Sequence, residues 1–178
     1  SVLRSQARMT QISPLPQGRS HPMADLSDLV SQTGVVAALK AQSKKQLLQE
    51  LAARAAQLTG VAERTIFETL LERERLGTTG VGHGIAIPHG KLTGLPKIVG
   101  LFARLESKID FDAIDDQPVD LVFLLLAPEG AGADHLKALA RVSRLLRNAQ
   151  VCEKLRGAED RAALYAILTE PLASSQAA

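Results

Sequence analysis

From Val119 to Ala127 the chain reads Val-Asp-Leu-Val-Phe-Leu-Leu-Leu-Ala, almost wholly apolar, and Pro128-Glu-Gly-Ala-Gly-Ala133 follows as a loop. A short run of this kind is the signature of a strand covered on both faces, because a half-exposed strand would alternate apolar and polar residues. The strand therefore needs apolar layers above and below it, and the rest of the chain must supply them. Its unbroken apolar part, Leu121 to Ala127, is far shorter than the ~20 residues of a membrane-spanning helix.

Helices are the expected cover. Ser43-Lys-Lys-Gln46 forms a capping box, after which Leu47, Leu48, Leu51, Ala52, Ala55 and Leu58 recur at helical spacing until Gly60. A second helix is predicted from about Ala62 to Leu76, with Ile66, Phe67 and Leu70 on its apolar stripe and Gly77 as its stop. Asp134 is expected to cap a third, buried through Leu136, Leu139, Ala140, Leu145 and Leu146. Further helices are expected around Val151 to Leu155 and Arg161 to Leu168. Leu26 to Val30 reads as one helical turn, and Val35 to Leu39 and Ile98 to Leu105 as strands, with an acidic turn at Asp110 to Asp120 before the central one. The order implies one α/β domain, a three-layer α/β/α sandwich with a central mixed sheet.

That domain is expected over 23–170. Residues 1–22, rich in Ser, Gln, Pro and Arg and free of Asp and Glu, are expected to be a disordered extension upstream of Met23, and 171–178 a disordered tail. With aromatics at 3% and no Trp, the core must be aliphatic, and few platforms exist for stacking single-stranded bases. A net charge of +2, spread along the chain, implies neither nucleic-acid binding nor membrane insertion. The single cysteine, Cys152, forms no internal disulfide, so a reducing, cytoplasmic setting is expected.

Three residues carry candidate chemistry. His89 follows Ile87-Pro88 at the end of a short apolar segment and precedes Gly90, whose missing side chain leaves space beside the ring. Pro88 restricts the backbone there, which suits a nucleophile that must meet a partner's reactive group. His135 falls in the first turn of the helix after the central strand, where ligands gather in open α/β sheets and where the dipole keeps an imidazole neutral. Arg73 stands where the stripe of the second helix calls for an apolar residue, although the dipole at a helix end favours a cation by itself. If the three share one side of the sheet, they converge on an anion. Phosphoryl transfer needs mainly such positioning and charge stabilisation.

Other readings compete. The glycines of Gly77 to Gly84 follow a helix and precede a strand, the reverse of a dinucleotide fingerprint, and no Gly-Lys-Ser/Thr is present. His83, His89 and His135 could hold zinc, but no Cys cluster or His-Glu-x-x-His supports a metal. Asp112, Asp115, Asp116 and Asp120 match no calcium loop and read as a solvated turn. Lys137, Arg141 and Arg144 read as a solvated face or a docking surface for an acidic partner.

Arg73-Glu-Arg-Leu-Gly-Thr-Thr-Gly80, Gly84-Ile-Ala-Ile-Pro-His89-Gly-Lys-Leu92 and Phe111-Asp-Ala-Ile-Asp-Asp-Gln-Pro-Val-Asp-Leu121 resemble the mannitol/fructose-type enzyme IIA family of the bacterial phosphotransferase system, above all its nitrogen-regulatory branch. The likeness runs from about Asp25 to Thr169. It implies the α/β/α fold, His89 as the phosphorylated nucleophile, His135 as the second histidine and Arg73 as the supporting arginine, with no cofactor and no metal. It also implies an HPr-like (NPr) phosphocarrier as donor and regulatory targets such as potassium-transport components or sensor kinases. A sugar-specific IIA serving a permease IIB domain and an unphosphorylated interaction module are the alternatives. His83 has no role in the pattern and could alter the charge of the site.

Overall fold

The computed structural model describes residues 26–170, and the extension expected at 1–22 and the tail expected at 171–178 lie outside them. Strand β6 (Val119–Pro128) runs through the middle of a six-stranded sheet. It pairs antiparallel with β5 (Val99–Ile109), which pairs in parallel with β1 (Val35–Leu39). On its other side lie β3 (Ile85–Ala86) and β4 (His89–Leu92), both parallel to β6, and β2 (Gly80–Gly82) closes that edge antiparallel to β3. The sheet is mixed, as expected.

Alternation along β6 builds two cores. Val122, Leu124 and Leu126 pack with Leu47, Leu48 and Leu51 of α1 (Lys44–Thr59) and with Ile66 and Leu70 of α2 (Glu63–Arg75). Leu121, Phe123 and Leu125 pack with Val142 and Leu145 of α3 (Ala133–Leu146), Leu155 of α4 (Ala149–Gly157), and Leu164 and Leu168 of α5 (Arg161–Thr169). Each fully buried Leu or Phe contributes about 1.5–3 kcal/mol, so both faces of one strand hold the three layers together. No helix among the described residues is long and apolar enough to cross a membrane.

Ser43 caps α1 as its sequence implies, but the Gln46 side chain reaches back one residue beyond the cap. Gln46 N–H donates to Ser43 Oγ at 3.1 Å, the Gln46 side chain accepts from Gln42 N–H at 2.7 Å, and Gly60 ends the helix at φ 77°. Leu26 N–H donates to the Leu168 carbonyl, and the carbonyl of Leu26 closes a single turn with Leu29 and Val30.

Three expectations need correction. α3 begins at Ala133 with Gly132 before it, so Asp134 lies inside the first turn and does not cap. Its buried stripe is His135, Ala138, Val142, Leu145 and Leu146, while Leu136 is 69% exposed and Ala140 is exposed too. The early buried positions lie one residue before those the periodicity predicts, because a histidine, not a leucine, enters the core first. Asp120 is no part of a solvated turn. It is buried in β6, and Arg156 of α4 donates to both its oxygens at 2.9 and 3.0 Å.

Candidate functional site

His89 opens β4 rather than ending a strand, and it pairs with Leu125 of β6. Ile87 and Pro88 interrupt the line between β3 and β4, because proline offers no N–H to a ladder. Ile87 N–H turns aside to the carbonyl of Thr79 at 2.9 Å, while Leu125 N–H still donates to the Pro88 carbonyl at 2.9 Å. This break aims the Ile87 carbonyl at the following histidine.

The ring of His89 is held at both nitrogens. Nδ1 lies 2.9 Å from the Ile87 carbonyl, which only accepts, so Nδ1 carries the proton. Arg73 Nε donates to Nε2 at 3.2 Å, and a guanidinium only donates, so Nε2 presents its lone pair. The two bonds together select the neutral Nδ1–H tautomer. Burial pushes His89 below the ordinary histidine value of 6.5, the Ile87 bond opposes that shift, and the Arg73 charge adds to it.

Arg73 reaches this place from the last turn of α2, where Nη1 also donates to the Gly77 carbonyl at 3.0 Å. Gly90 lines the cavity beside the ring, and it also lies close against α2. A Cβ there would stand 2.7 Å from Cγ2 of Thr69 on α2. The missing side chain thus lets α2, and Arg73 with it, lie against β4.

His135 is 5% exposed and faces His89 edge-on, with 5.7 Å between ring centroids. Its Nε2 is buried without a hydrogen-bond partner, a condition that costs free energy unless something meets it. Burial, then the neighbouring His89 and Lys91 charges, push its pKa down. The imidazole is thus kept neutral mainly by desolvation, where the sequence pointed to the dipole.

Arg73, His89, His135, Gly132 and Lys91 line one cavity of about 860 Å³, with Leu76 and Leu136 on its rim. These leucines are 85% and 69% exposed. Arg73, His89 and His135 therefore converge, as the sequence required of an anion site. His83 does not join them: it lines a second groove, with Ile87, Leu146 and Arg156. Among the described residues no group of three or more His, Cys, Asp or Glu side chains is placed to hold a metal ion. Arg141 grips both oxygens of Asp28 at 2.7 and 2.8 Å in an ion pair at the surface.

One participant escaped the sequence reading. Glu74 occupies the position after Leu70 on the buried stripe of α2 and is 8% exposed. Its carboxylate accepts from Thr79 N–H and Thr79 Oγ1, and Lys44 Nζ approaches to 3.3 Å. The only signal was a charged residue at helical spacing from Leu70, next to Arg73.

The structure is a mixed sheet between helical layers, with two histidines and an arginine at one cavity. Residues 28–170 match the family model for the phosphoenolpyruvate-dependent sugar phosphotransferase system, EIIA 2, and the chain belongs to that family. A nitrogen regulatory protein from Bradyrhizobium diazoefficiens is 63% identical over 150 residues, covering 84% of this chain and 98% of that one. Another from Escherichia coli is 41% identical over 146 residues, covering 82% and 90%. The crystal structure of the nitrogen regulatory protein IIA-Ntr from Neisseria meningitidis matches with a TM-score of 0.77 at 33% identity, covering 81% of this chain and 99% of that one. Mannitol IIA from Escherichia coli, at 20% identity and a TM-score of 0.66, shares the fold. These relatives support a IIA phosphocarrier role.

Proposed function

We propose that the chain accepts a phosphoryl group on Nε2 of His89 from a histidine-phosphorylated HPr-like carrier. The observation that carries this reading is the pair of bonds at the ring. With Nδ1–H held by Ile87 and only a donor at Nε2, the nucleophilic lone pair is the one facing Arg73. In the transfer, that pair forms the new N–P bond while the donor's N–P bond breaks and its electrons return to the donor ring. No proton need leave, because Nε2 carries none. The phosphoryl group brings about −1.5 to −2 charges, and catalysis consists of placing and balancing them. Arg73 turns its Nε–H from Nε2 to a phosphoryl oxygen, and His135, as the Nε2–H tautomer, donates that otherwise unpartnered N–H to another.

The output is regulatory. Phosphorylation changes the charge at a rim formed by Arg73, Arg75, Lys91 and the exposed Leu76 and Leu136, and targets such as potassium-transport components or sensor kinases discriminate the two states. The names of the nitrogen regulatory relatives support this branch. The acceptor unit spans 23–170 and works in the cytoplasm, with no cofactor.

The test is intact mass after incubation with phosphoenolpyruvate, enzyme I and an HPr-like carrier. One acid-labile phosphoryl group on wild type and none on His89→Ala is expected. Equal labelling of the two proteins would overturn the assignment. No label on either, with both folded and the donor active, would leave an interaction module.

A further inference from the structure

Glu74 stands where α2 should bury an apolar residue, in line with Ile66 and Leu70. Burying a carboxylate is unfavourable before its partners compensate, and an apolar side chain in its place is often neutral or better. Its contacts lead in one direction. The carboxylate accepts from Thr79 N–H at 3.0 Å and from Thr79 Oγ1 at 2.9 Å. The Thr79 carbonyl accepts from Ile87 N–H at 2.9 Å, and the Ile87 carbonyl holds Nδ1–H of His89 at 2.9 Å. Thr79 and Ile87 are both buried, so water cannot easily substitute at either link.

Lys44 secures the far end. Its ammonium lies 3.3 Å from Glu74 and 4.6 Å from the centre of the Phe111 ring, which ties the carboxylate to the start of α1. Two consecutive residues thus act on the two nitrogens of one imidazole, Arg73 directly on Nε2 and Glu74 through two backbone carbonyls on Nδ1. If the Thr79 segment shifts, Ile87 loses its N–H acceptor and its carbonyl is free to rotate away from the ring.

We propose that Glu74 is a positioning residue for His89, holding Thr79 and through it Ile87, so that the ring keeps its proton on Nδ1 and offers Nε2 to the phosphoryl group. The last step rests on the reading of His89 as the acceptor, but the selection of the tautomer does not.

The experiment is a long-range nitrogen–proton spectrum of the His89 ring in the full chain, beside the rate of phosphorylation from a phosphorylated HPr-like carrier. Wild type should show protonated Nδ1 and unprotonated Nε2. Glu74→Ala should mix the tautomers and slow phosphorylation roughly ten- to a hundred-fold, the loss expected of a reacting group displaced by about 1 Å. Glu74→Gln keeps an acceptor oxygen and should restore the tautomer, with a rate within a few-fold of wild type. A folded Glu74→Ala with wild-type tautomer and rate would overturn the proposal. So would a Glu74→Gln as slow as Glu74→Ala but with its tautomer intact, since Glu74 would then act by charge. Should Glu74→Ala fail to fold, Thr79→Val decides, because it deletes one donor and leaves the carboxylate. Partial mixing of tautomers supports the role, and an unchanged ring removes it. Absence of phosphorylation in wild type would sink the acceptor reading while the ring spectra still judge Glu74.

Discussion

The imidazole of His135 stands at 69° to that of His89, 5.7 Å away between centroids, and the two rings resist protonation together. Burial is the first cause for both, and for His135 the second is a charge on His89. The unfolded chain takes up these protons near the ordinary value of 6.5, so below it the unfolded state binds more protons than the folded one. Stability is therefore full above about pH 6.5 and falls as the pH drops through that value toward the folded ones. Asp115, held below its usual 3.8 first by the His83 N–H, acts in a more acidic window. We expect a lower Tm at about pH 5.5 than at pH 7.5, and a smaller difference in the double variant His89→Gln/His135→Gln. The same pH slope in both proteins would contradict this account.

Removal of Arg73 or His135 should slow phosphorylation and leave the fold intact. Arg73 is half-buried at the site, and His135 fills a buried place with an unsatisfied nitrogen, so neither truncation strands a charge in the core. A loss of about ten-fold or more is expected for each, as for other groups that balance charge in a transition state. Quench-flow rates checked against circular dichroism decide between a chemical and a structural effect.

Gly90 sets how closely α2 approaches His89. Gly90→Ala puts a methyl 2.7 Å from Thr69 Cγ2, and such overpacking costs about 1–3 kcal/mol. Thr69→Ser removes that methyl but keeps the hydroxyl that donates to the Thr65 carbonyl at 2.8 Å. The double variant should regain most of the lost urea midpoint and phosphorylation rate, and failure to regain either would mean the strain lies elsewhere.

Two left-handed glycines should respond differently to alanine. Gly60, at φ 77°, has open space around it, so the change costs only the backbone term of about 1 kcal/mol. Gly84, at φ 81°, would set its methyl 2.6 Å from Arg156 Nη2 and 2.9 Å from Asp120 Oδ1. There the same term adds to a disturbed, partly exposed ion pair, for a total of about 2–3 kcal/mol. Denaturant midpoints of the two variants test this order, and equal losses would refute it.

Cys152 should be inert in the folded protein. It is buried, donates to the Leu146 carbonyl at 3.1 Å, and burial pushes its thiol above the usual value. A thiolate is the reactive form, so a thiol reagent should label it slowly in buffer and at once in urea. Fast labelling of folded protein would show that α4 opens.

Much of this molecule follows from local pattern. Val119 to Ala127 called for two covering layers, and the capped, amphipathic stretch after Ser43 could bury its face against only one of them. Periodicity and caps are properties of neighbours in sequence, so spans and layers could be read directly. The convergence of His89, His135 and Arg73 could be posed from the sequence but not established by it, since they sit on a strand and two different helices. What only the tertiary structure decided were choices made between distant residues. The first turn of α3 buries His135 and exposes Leu136 because His89 and the cavity lie on that side. Asp120 became a core residue because Arg156 meets it across the fold, and the tautomer of His89 depends on Thr79 and Glu74. A hydrogen bond or an ion pair is worth little until both partners are held and dry, and that condition arises only when the layers close.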